Sequence, residues 1–525
     1  MTAIPRLVIA APSSGHGKTA IAVGLLAAFA GRGLTPSGFK IGPDYVDAGY
    51  LGLASGRPGR NLDPRLQGVD RVAPLFAHGA AGTDIAVVEG TMGLYDGLSG
   101  RADLESTAQV AGLLKAPVVL VVDVGAMGQS VAALVHGFRA FDELLWLGGV
   151  VLTRVASARH QQILRESLDD IGVPVLGMVR RNTLAALPNR SLGVAPVVDR
   201  TTDAVRAVRR LGSMIASSVD LDRIVALARS APDLPATPWS AADALAAATV
   251  RKPAEQTRVL PPRSSVRGED APEEAGEKSD TPTSAPASGA PASGAPASGA
   301  PVSPAAPVSP AAPVSPARPV LEKASGPGPV IAVAGGPTFG YSYQETSELL
   351  SAAGAQVAPF DPLRDEQLPD GTQGLVFGGA FPELYADELS ANEQLCRAVN
   401  ELALGGAPIV AESTGLLWLV KDFDGRPMCG VLNASATSTN TQVLGYREAI
   451  SRASSPLVRL GATLIGHKSH RTVVNPRSGD NAAWQWRGGP PEGFVWRKVH
   501  ASYLNLHWAG YPGVAKRFLT AVNVP

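Results

Sequence analysis

Short apolar runs alternate with longer helix-like stretches from residue 1 to about residue 240. The apolar runs predict strands at Leu7–Ala11, Ser37–Ile41, Ile85–Glu89, Val118–Val122, Gly149–Thr153 and Val175–Val179. Because a helical stretch separates each run from the next, residues 1–240 are predicted to form a parallel sheet with helices on both faces. Such sheets bind their ligands beyond the carboxyl ends of the strands.

The same alternation returns over residues 329–525. It predicts the strands Pro329–Ala334, Gly374–Phe377 and Pro408–Ala411 and the helices Ser342–Ala353 and Ala391–Leu404. After the third of these strands the chain turns sharply into a short predicted helix, Leu416–Val420, with Ser413 inside the turn. A strand, a tight turn and a helix form the elbow on which enzymes display nucleophiles. The predicted fold class is therefore α/β, with two domains.

Residues 252–328 separate these domains and have a different composition. The five-residue repeat Pro-Ala-Ser-Gly-Ala starts at Pro286, Pro291 and Pro296, and a six-residue repeat Pro-Val-Ser-Pro-Ala-Ala begins at Pro301. Such a segment has too little apolar surface to offset its chain entropy, which predicts a disordered, partly polyproline linker. A ligand for a proline-binding domain is the alternative, but a tether explains the same residues.

Composition limits the classes of partner and compartment. The 525 residues carry 46 basic and 46 acidic side chains, so the formal net charge is zero and does not indicate binding to nucleic acid or an anionic membrane. Two cysteines are too few for a disulfide framework. No apolar run reaches the roughly 18 residues of a membrane span. We expect a cytoplasmic protein, with a homodimer as an open alternative.

The first predicted strand leads into a loop that is suited to phosphate. Gly15, His16, Gly17, Lys18 and Thr19 lie between this strand and a predicted helix, so backbone N–H groups converge on one point. Lys18 is predicted to contact the β and γ phosphates of ATP, and the Thr19 hydroxyl to hold Mg²⁺. The loop has Pro12 where the common motif has glycine. The structural alternative is a turn that only joins strand to helix.

Carboxylates follow two further predicted strands. Asp44 and Asp47 come after the strand Ser37–Ile41, and Glu89 ends the strand Ile85–Glu89. Phosphoryl transfer to a carboxylate needs a metal ion with oxygen ligands. Asp44 and Glu89 are the predicted metal ligands beside Thr19, although a single carboxylate in such a place is more often a helix cap.

These motifs resemble the cobyrinate (hydrogenobyrinate) a,c-diamide synthase family. The resemblance is carried by the phosphate loop, Gly42-Pro43-Asp44-Tyr45-Val46-Asp47, Arg60-Asn61-Leu62-Asp63-Pro64, Glu89-Gly90-Thr91-Met92-Gly93-Leu94-Tyr95-Asp96-Gly97 and Leu187-Pro188-Asn189-Arg190. It implies a first domain similar to dethiobiotin synthetase and a class I glutamine amidotransferase domain behind the linker.

The resemblance also implies a reaction in cobalamin biosynthesis. ATP would phosphorylate the a and c acetate side chains of a tetrapyrrole acid, and ammonia would then displace phosphate to leave amides. The residues that match Asp44, Asp47 and Glu89 serve the synthetase site in that family.

The chain departs from the family at both positions that the resemblance implies for glutamine hydrolysis. Ser413 stands in Ala411-Glu412-Ser413-Thr414-Gly415-Leu416 where the family has cysteine, and Asn505 stands where it has the catalytic histidine. A serine hydroxyl attacks only when a neighbouring base removes its proton, which asparagine cannot do at neutral pH. The glutaminase is therefore predicted to be inactive, with ammonia coming from solution or from a partner protein.

Three other residues are candidates to replace the missing groups. His507 would share a face with Asn505 if this stretch were a strand. Cys396 lies in a predicted helix and Cys429 in a predicted turn, which favours structural roles for both. The first domain also departs from the family pattern, at Leu51, at Thr153 on the adenine side and at Ser191.

Three hypotheses follow. The leading one is an ATP-dependent amide ligase that has lost its own glutaminase. The second is an intact glutamine-dependent a,c-diamide synthase, with Ser413 or Asn505 assigned in the wrong register. The third is a nucleotide-binding scaffold or regulator without ligase activity.

Overall fold

The computed structural model describes residues 4–97, 105–181, 187, 189–190, 193–194, 201–250, 328–340, 342–379 and 384–523. The predicted linker, 252–328, lies outside the described residues except for Gly328. Ser191 and residues 380–383 also lie outside them.

A parallel sheet of seven strands organises the first 180 residues. Its strands are β1 (Arg6–Ala10), β2 (Pro36–Ile41), β3 (Arg60–Leu62), β4 (Ile85–Glu89), β5 (Val118–Asp123), β6 (Leu147–Val155) and β7 (Val175–Arg180). Their order in the sheet is β3-β2-β4-β1-β5-β6-β7, and each neighbouring pair is parallel. The six predicted strands are confirmed. The sequence analysis missed β3, which is three residues long and has two polar residues, Arg60 and Asn61.

Helices connect these strands and cover both faces of the sheet. They are α1 (Lys18–Gly31), α2 (Tyr45–Ser55), α3 (Pro64–Gln67), α4 (Val69–Gly79), α5 (Thr107–Leu113), α6 (Ser130–Phe141), α7 (Ala158–Asp169), α8 (Thr201–Ser218), α9 (Leu221–Arg229) and α10 (Ala241–Val250). Two short paired strands, β8 (Asn189–Arg190) and β9 (Gly193–Val194), lie between α7 and α8.

Alternate residues of the strands pack into different cores because successive side chains of a strand point to opposite faces. Leu7 and Ile9 of β1 belong to the core beneath α1 and α8, whereas Val8 belongs to the core on the other face. Both faces are therefore buried, which explains why the strands are apolar throughout.

The second half of the chain builds two further sheets. Its strands are β10 (Val330–Ala334), β11 (Gln356–Phe360), β12 (Thr372–Phe377), β13 (Ile409–Glu412), β14 (Val420–Phe423), β15 (Arg426–Pro427), β16 (Leu432–Ser451), β17 (Thr463–Asn475), β18 (Trp484–Gln485), β19 (Phe494–Trp496) and β20 (Val499–Ser502). Its helices are α11 (Gln344–Ala352), α12 (Ala386–Ala391), α13 (Glu393–Leu404), α14 (Leu416–Leu419) and α15 (Gly513–Asn523).

One of these sheets has the order β11-β10-β12-β13-β20-β19 and is parallel except where β19 meets β20. The other is dominated by the long antiparallel pair β16 and β17. The three predicted strands and two predicted helices of this half are confirmed to within two residues at each end. The β16–β17 pair was not predicted.

The two halves form one compact unit. Ile331, Leu349, Trp508 and Phe518 of the second half belong to the same continuous core as Val8 of the first sheet. In the part of the chain that the structure describes, no helix combines the length and apolarity that a membrane crossing requires. The carboxyl end of β2, the loops after β3 and β4 and the turn after β13 line one cavity, described below.

Candidate active site

The phosphate loop has the backbone that its sequence predicts. Gly15 and Gly17 have φ angles of +88° and +94°, a conformation that side chains with a Cβ rarely adopt. Gly17 precedes α1, and no side chain caps the N-terminus of this helix. The first N–H groups of α1 are therefore available to an anion.

Lys18 is held across this loop. Its Nζ donates to the carbonyl oxygens of Ser13, at 3.0 Å, and of Met92, at 2.5 Å. Burial, together with the neighbouring Lys40 charge, lowers the pKa of Lys18 to about 8. The structure thus places one buried cation at the mouth of the phosphate loop.

A second buried lysine joins the predicted acidic residues. The Lys40 Nζ lies 2.8 Å from Glu89 Oε1 and 2.6 Å from Asp47 Oδ2. The Thr19 hydroxyl donates to the same Glu89 oxygen at 2.5 Å. Strand register explains this convergence, because β2 and β4 are neighbours in which Lys40 pairs with Glu89. Thr19, Asp47 and Glu89 are therefore brought together.

Burial dominates the electrostatics of this cluster. Glu89 is completely buried, which raises its pKa, and the Asp47 charge adds to the effect. Burial acts to lower the pKa of Lys40, but the Glu89 and Asp47 carboxylates outweigh it, so the pKa of Lys40 is raised. Sequence reasoning assigned no role to Lys40. The available signal was a charged residue inside a buried strand that has no other charge.

Asp44 occupies a different position from the other two acids. Its side chain caps α2 by accepting the backbone N–H of Asp47 at 3.1 Å. The Asn61 side chain holds the same loop by donating to the carbonyl oxygens of Gly42 and Asp44, each at 2.8 Å. Asp44 is exposed and lines the cavity described below. Its carboxylate therefore caps α2 and is also accessible from the cavity.

His16 contributes to the packing of the loop. Its Nδ1 accepts the backbone N–H of Asp123 at 2.8 Å, and its carbonyl oxygen accepts the Thr153 hydroxyl at 3.1 Å. Burial and the nearby Lys18 and Arg154 charges lower the pKa of His16. The neutral His16 ring therefore fixes the loop to the end of β5.

A cavity of about 460 Å³ lies between the loop that follows β2 and the second half of the chain, and the phosphate-loop residues Gly15–Thr19 are not among its lining residues. Its first wall contains Asp44, Thr91 and Asp96, and its opposite wall contains Ser413 and His467. The walls are joined by Tyr446 of β16, whose hydroxyl donates to Asp63 at 2.8 Å while Arg65 lies over its ring.

The predicted elbow is present at Ser413. The chain passes from β13 through Ser413–Gly415 into α14, and Ser413 has a positive φ of 55°. Such a conformation is strained for serine and is typical of displayed nucleophiles. Glu412 anchors the elbow by accepting the backbone N–H of Leu506 and the Trp508 indole N–H, both at 2.9 Å.

No histidine activates Ser413 through a hydrogen bond among the residues that the structure describes. His467 lines the cavity together with Ser413, but the described contact of its ring is with the ring of Tyr446. His470 stacks on Tyr503, and His500 pairs with the Ser455 hydroxyl. Burial lowers the pKa of His467 to about 4 and those of His470 and His500 to about 3.

Asn505 and His507 do not form the strand that would place them on one face. The last strand, β20, ends at Ser502, and Asn505 forms only an isolated backbone bridge with His467. The His507 Nε2 lies 2.7 Å from the Gln67 amide nitrogen, and its ring contacts Tyr343. His507 therefore joins the two halves of the chain. Cys396 and Cys429 are buried at a cavity that contains neither Ser413 nor the phosphate loop.

Comparison with known proteins identifies the family of this chain. Residues 7–194 match a family model described as a CobQ/CobB/MinD/ParA nucleotide binding domain, and residues 330–512 match a CobB/CobQ-like glutamine amidotransferase domain. A hydrogenobyrinate a,c-diamide synthase of Streptomyces coelicolor is 50% identical over 99% of this chain and 97% of its own length. The chain belongs to the hydrogenobyrinate and cobyrinate a,c-diamide synthase family. This confirms the resemblance found in the motifs.

Other relatives in the a,c-diamide synthase family are more distant. The hydrogenobyrinate a,c-diamide synthase of Thermobifida fusca is 42% identical over 99% of this chain and 97% of its own length. The cobyrinate a,c-diamide synthase of Gloeobacter violaceus is 35% identical over 98% of this chain and 96% of its own length. The predicted α/β fold class, with a nucleotide-binding sheet followed by an amidotransferase-like domain, is also confirmed.

Proposed function

We propose that this chain uses ATP to amidate the a and c acetate side chains of a hydrogenobyrinic or cobyrinic acid, in cobalamin biosynthesis, through acyl phosphates. The observation that carries the proposal is the single cavity that joins the carboxylate loop of the nucleotide-binding half to the elbow of the amidotransferase-like half. The names of its relatives supply the substrate. The proposed domains are the ligase domain at 1–240, the linker at 252–328 and the amidotransferase-like domain at 329–525.

The nucleotide-binding half has the groups that ATP requires. The N–H groups at the start of α1 would bind phosphate oxygens, and Lys18 would exchange its two carbonyl partners for the β and γ phosphates. Because Lys18 is already positioned, binding costs little side-chain entropy. Gly15, His16 and Gly17 shape the loop and supply its backbone.

Mg²⁺ fits the oxygen atoms beside this loop. Glu89 Oε2 is buried and has no hydrogen-bond partner, while Oε1 accepts from Thr19 and Lys40. Among the residues described, no three His, Cys, Asp or Glu side chains form a metal site, so phosphate and water oxygens would complete the ligand set. Thr19, Glu89 and the more distant Asp44 are the proposed protein ligands. When bound, the ion neutralises phosphate charge.

Asp47 and Lys40 would position the reacting groups. Lys40 forms ion pairs with both Asp47 and Glu89. These pairs connect the loop after β2 to the proposed metal ligand Glu89 and hold the three side chains in fixed positions. Asp44, which lines the cavity, is the acid placed to contact the substrate side. The apolar walls contributed by Ile41, Pro43, Val46 and Leu444 would contact the tetrapyrrole.

We further propose that ammonia is taken from solution or from a partner protein. Ser413 has no imidazole bonded to it in the described structure, and Asn505 provides no base. A serine without a base attacks glutamine orders of magnitude more slowly than a complete catalytic set does.

The test uses the purified full chain with hydrogenobyrinic acid, ATP and Mg²⁺. Amide products are counted by mass spectrometry, with ammonium or glutamine as the nitrogen donor, and glutamate release is measured in parallel. We expect ATP-dependent mono- and diamide with ammonium and none with glutamine alone. Glutamate release that is coupled to amide formation would show that the glutaminase is intact. Absence of product with every donor, despite ATP binding, would favour a scaffold.

A further inference from the structure

The chain has two cysteines, and the structure brings them together. Cys396 lies on α13, and Cys429 follows β15; both are buried and neither is in a disulfide. The Cys396 thiol donates to the Leu389 carbonyl oxygen at 3.4 Å, and both cysteine side chains line the same cavity. The proposed amidation uses neither thiol.

Backbone and side-chain bonds hold the two thiols in place. The Asn400 side chain, one turn along α13 from Cys396, donates to the Cys429 carbonyl oxygen at 2.9 Å. The Cys429 N–H donates to the Trp418 carbonyl oxygen of α14 at 3.0 Å. The turn that carries Cys429 is therefore fixed between α13 and the helix that follows the elbow.

Small molecules can reach the pair through a cavity. Both cysteines line a space of about 430 Å³ whose other walls include Glu393, Arg397 and Met428. Glu393 and Arg397 are exposed and form an ion pair on the surface of α13. A reagent of the size of a thiol-containing metabolite can therefore approach sulfur atoms that are otherwise buried.

We propose that Cys396 and Cys429 are a redox-active pair that closes into an intramolecular disulfide when the protein meets a low-molecular-weight disulfide. The Cys396 thiolate attacks one sulfur of the reagent, forming a mixed disulfide and releasing the other half as a thiol. Cys429 then attacks the Cys396 sulfur and releases the second half as a thiol. The pair loses two electrons and two protons, and the reagent is reduced to two thiols.

The order of attack follows from the different acidities of the two thiols. The neighbouring Cys429 thiol lowers the pKa of Cys396, whereas burial and the neighbouring Cys396 thiol raise the pKa of Cys429. The more acidic thiol provides more thiolate at neutral pH, so Cys396 reacts first. The disulfide would then tie α13 to the turn that supports α14. The proposal is independent of the amidation reaction.

The test exposes the reduced full chain to oxidised glutathione. Thiols are then titrated under denaturing conditions, and the intact mass is measured. We expect both thiols to disappear with no glutathione adduct, a mass loss of about two hydrogen atoms, and full reversal by dithiothreitol. Two free thiols after prolonged exposure, or a disulfide between two copies of the chain, would overturn the proposal.

Matched variants test the order of attack. Cys429→Ser should retain glutathione on Cys396, because the resolving thiol is gone, whereas Cys396→Ser should react at least several-fold more slowly. Cys429→Ala provides the same test if serine unfolds the site, and near-UV circular dichroism verifies folding. Adduct on Cys429 in the Cys396→Ser protein, with none in Cys429→Ser, would contradict the assignment.

Discussion

The phosphate loop after β1 and the elbow after β13 share one architecture but differ in their chemistry. Both are sharp turns that lead from an inner strand of a parallel sheet into a helix. In the phosphate loop, Lys18 donates to two backbone carbonyl oxygens and Thr19 donates to the buried Glu89 carboxylate, with distances of 2.5–3.0 Å. At the elbow, Ser413 keeps the strained backbone but has no bonded base in the described structure.

The difference shows that the backbone conformation of such a turn and its reactive side chains are maintained by separate interactions. Glu412 fixes the elbow through Leu506 and Trp508, and neither contact depends on which side chain occupies position 413. The phosphate loop, in contrast, depends on Lys40 and Glu89, which also belong to the proposed site. We therefore expect substitutions in the phosphate loop and in the ion pairs beside it to cost more activity or stability than removal of the Ser413 hydroxyl at the elbow.

The largest effect is expected for Lys18→Ala. Loss of the lysine charge that is predicted to contact the β and γ phosphates should reduce ATP-dependent amide formation by about 1000-fold or more. The rate is measured with ammonium and saturating tetrapyrrole acid. Lys421→Ala, which removes an exposed lysine of β14, is the control and should retain the wild-type rate. A rate for Lys18→Ala within tenfold of wild type would contradict the proposed role of the loop.

Lys40→Met should have the next largest effect, on stability. It leaves Glu89 and Asp47 without their shared cation, and breaking a buried ion pair in this way costs about 3–5 kcal/mol. Urea unfolding at neutral pH measures the cost. Adding Glu89→Gln to Lys40→Met should recover part of the lost stability, because one uncompensated charge is removed. If the two substitutions are additive, the three side chains do not act as a cluster.

At the elbow, Glu412→Gln should change the pH dependence of stability without changing the amidation rate of the folded protein. Burial raises the pKa of Glu412 from its model-compound value of 4.5 to about 8. Because the folded pKa is raised, wild-type stability should fall as pH rises from 4.5 to about 8, by up to about 1.4 kcal/mol per pH unit.

Glutamine does not titrate, so this contribution disappears in Glu412→Gln. Unfolding free energies measured across the same pH range test the difference, with the exposed Glu401→Gln as control. Parallel pH profiles for wild type and Glu412→Gln would show that Glu412 is ionised throughout.

A smaller effect is expected on nucleotide affinity as pH changes. With a pKa of about 8, Lys18 loses its charge above that pH, whereas bound phosphate would keep it protonated. The Kd for ATP should therefore increase by up to about tenfold per pH unit above pH 8 and be nearly constant below it. Isothermal titration calorimetry tests this. Lys18→Arg should remove the dependence, because arginine stays charged.

The smallest effect is expected for Ser413→Ala. If the elbow has no glutaminase chemistry, the ammonium-dependent rate should stay within about twofold of wild type. Glutamate release should be absent from both proteins. A large loss of rate in Ser413→Ala would mean that Ser413 contacts a reacting group. The proposed difference in chemistry between the phosphate loop and the elbow would then be wrong.

The sequence by itself determined the local elements and the family. Apolar runs specified the strands of both parallel sheets because such strands are buried on both faces. The glycines and Lys18-Thr19 specified the phosphate loop, since its backbone angles and its cation are local properties. The substitutions at Ser413 and Asn505 were equally visible, because each lies inside a motif.

Tertiary structure alone decided which distant groups meet. The Lys40 bridge to Asp47 and Glu89 depends on the neighbouring positions of β2 and β4, which do not follow from either strand alone. His507 pairs with Gln67 because β20 stops at Ser502, and the long β16–β17 pair brings Tyr446 to Asp63. Such contacts depend on the order of the strands in a sheet and on where each strand ends. Packing across the whole core sets both, and local sequence does not.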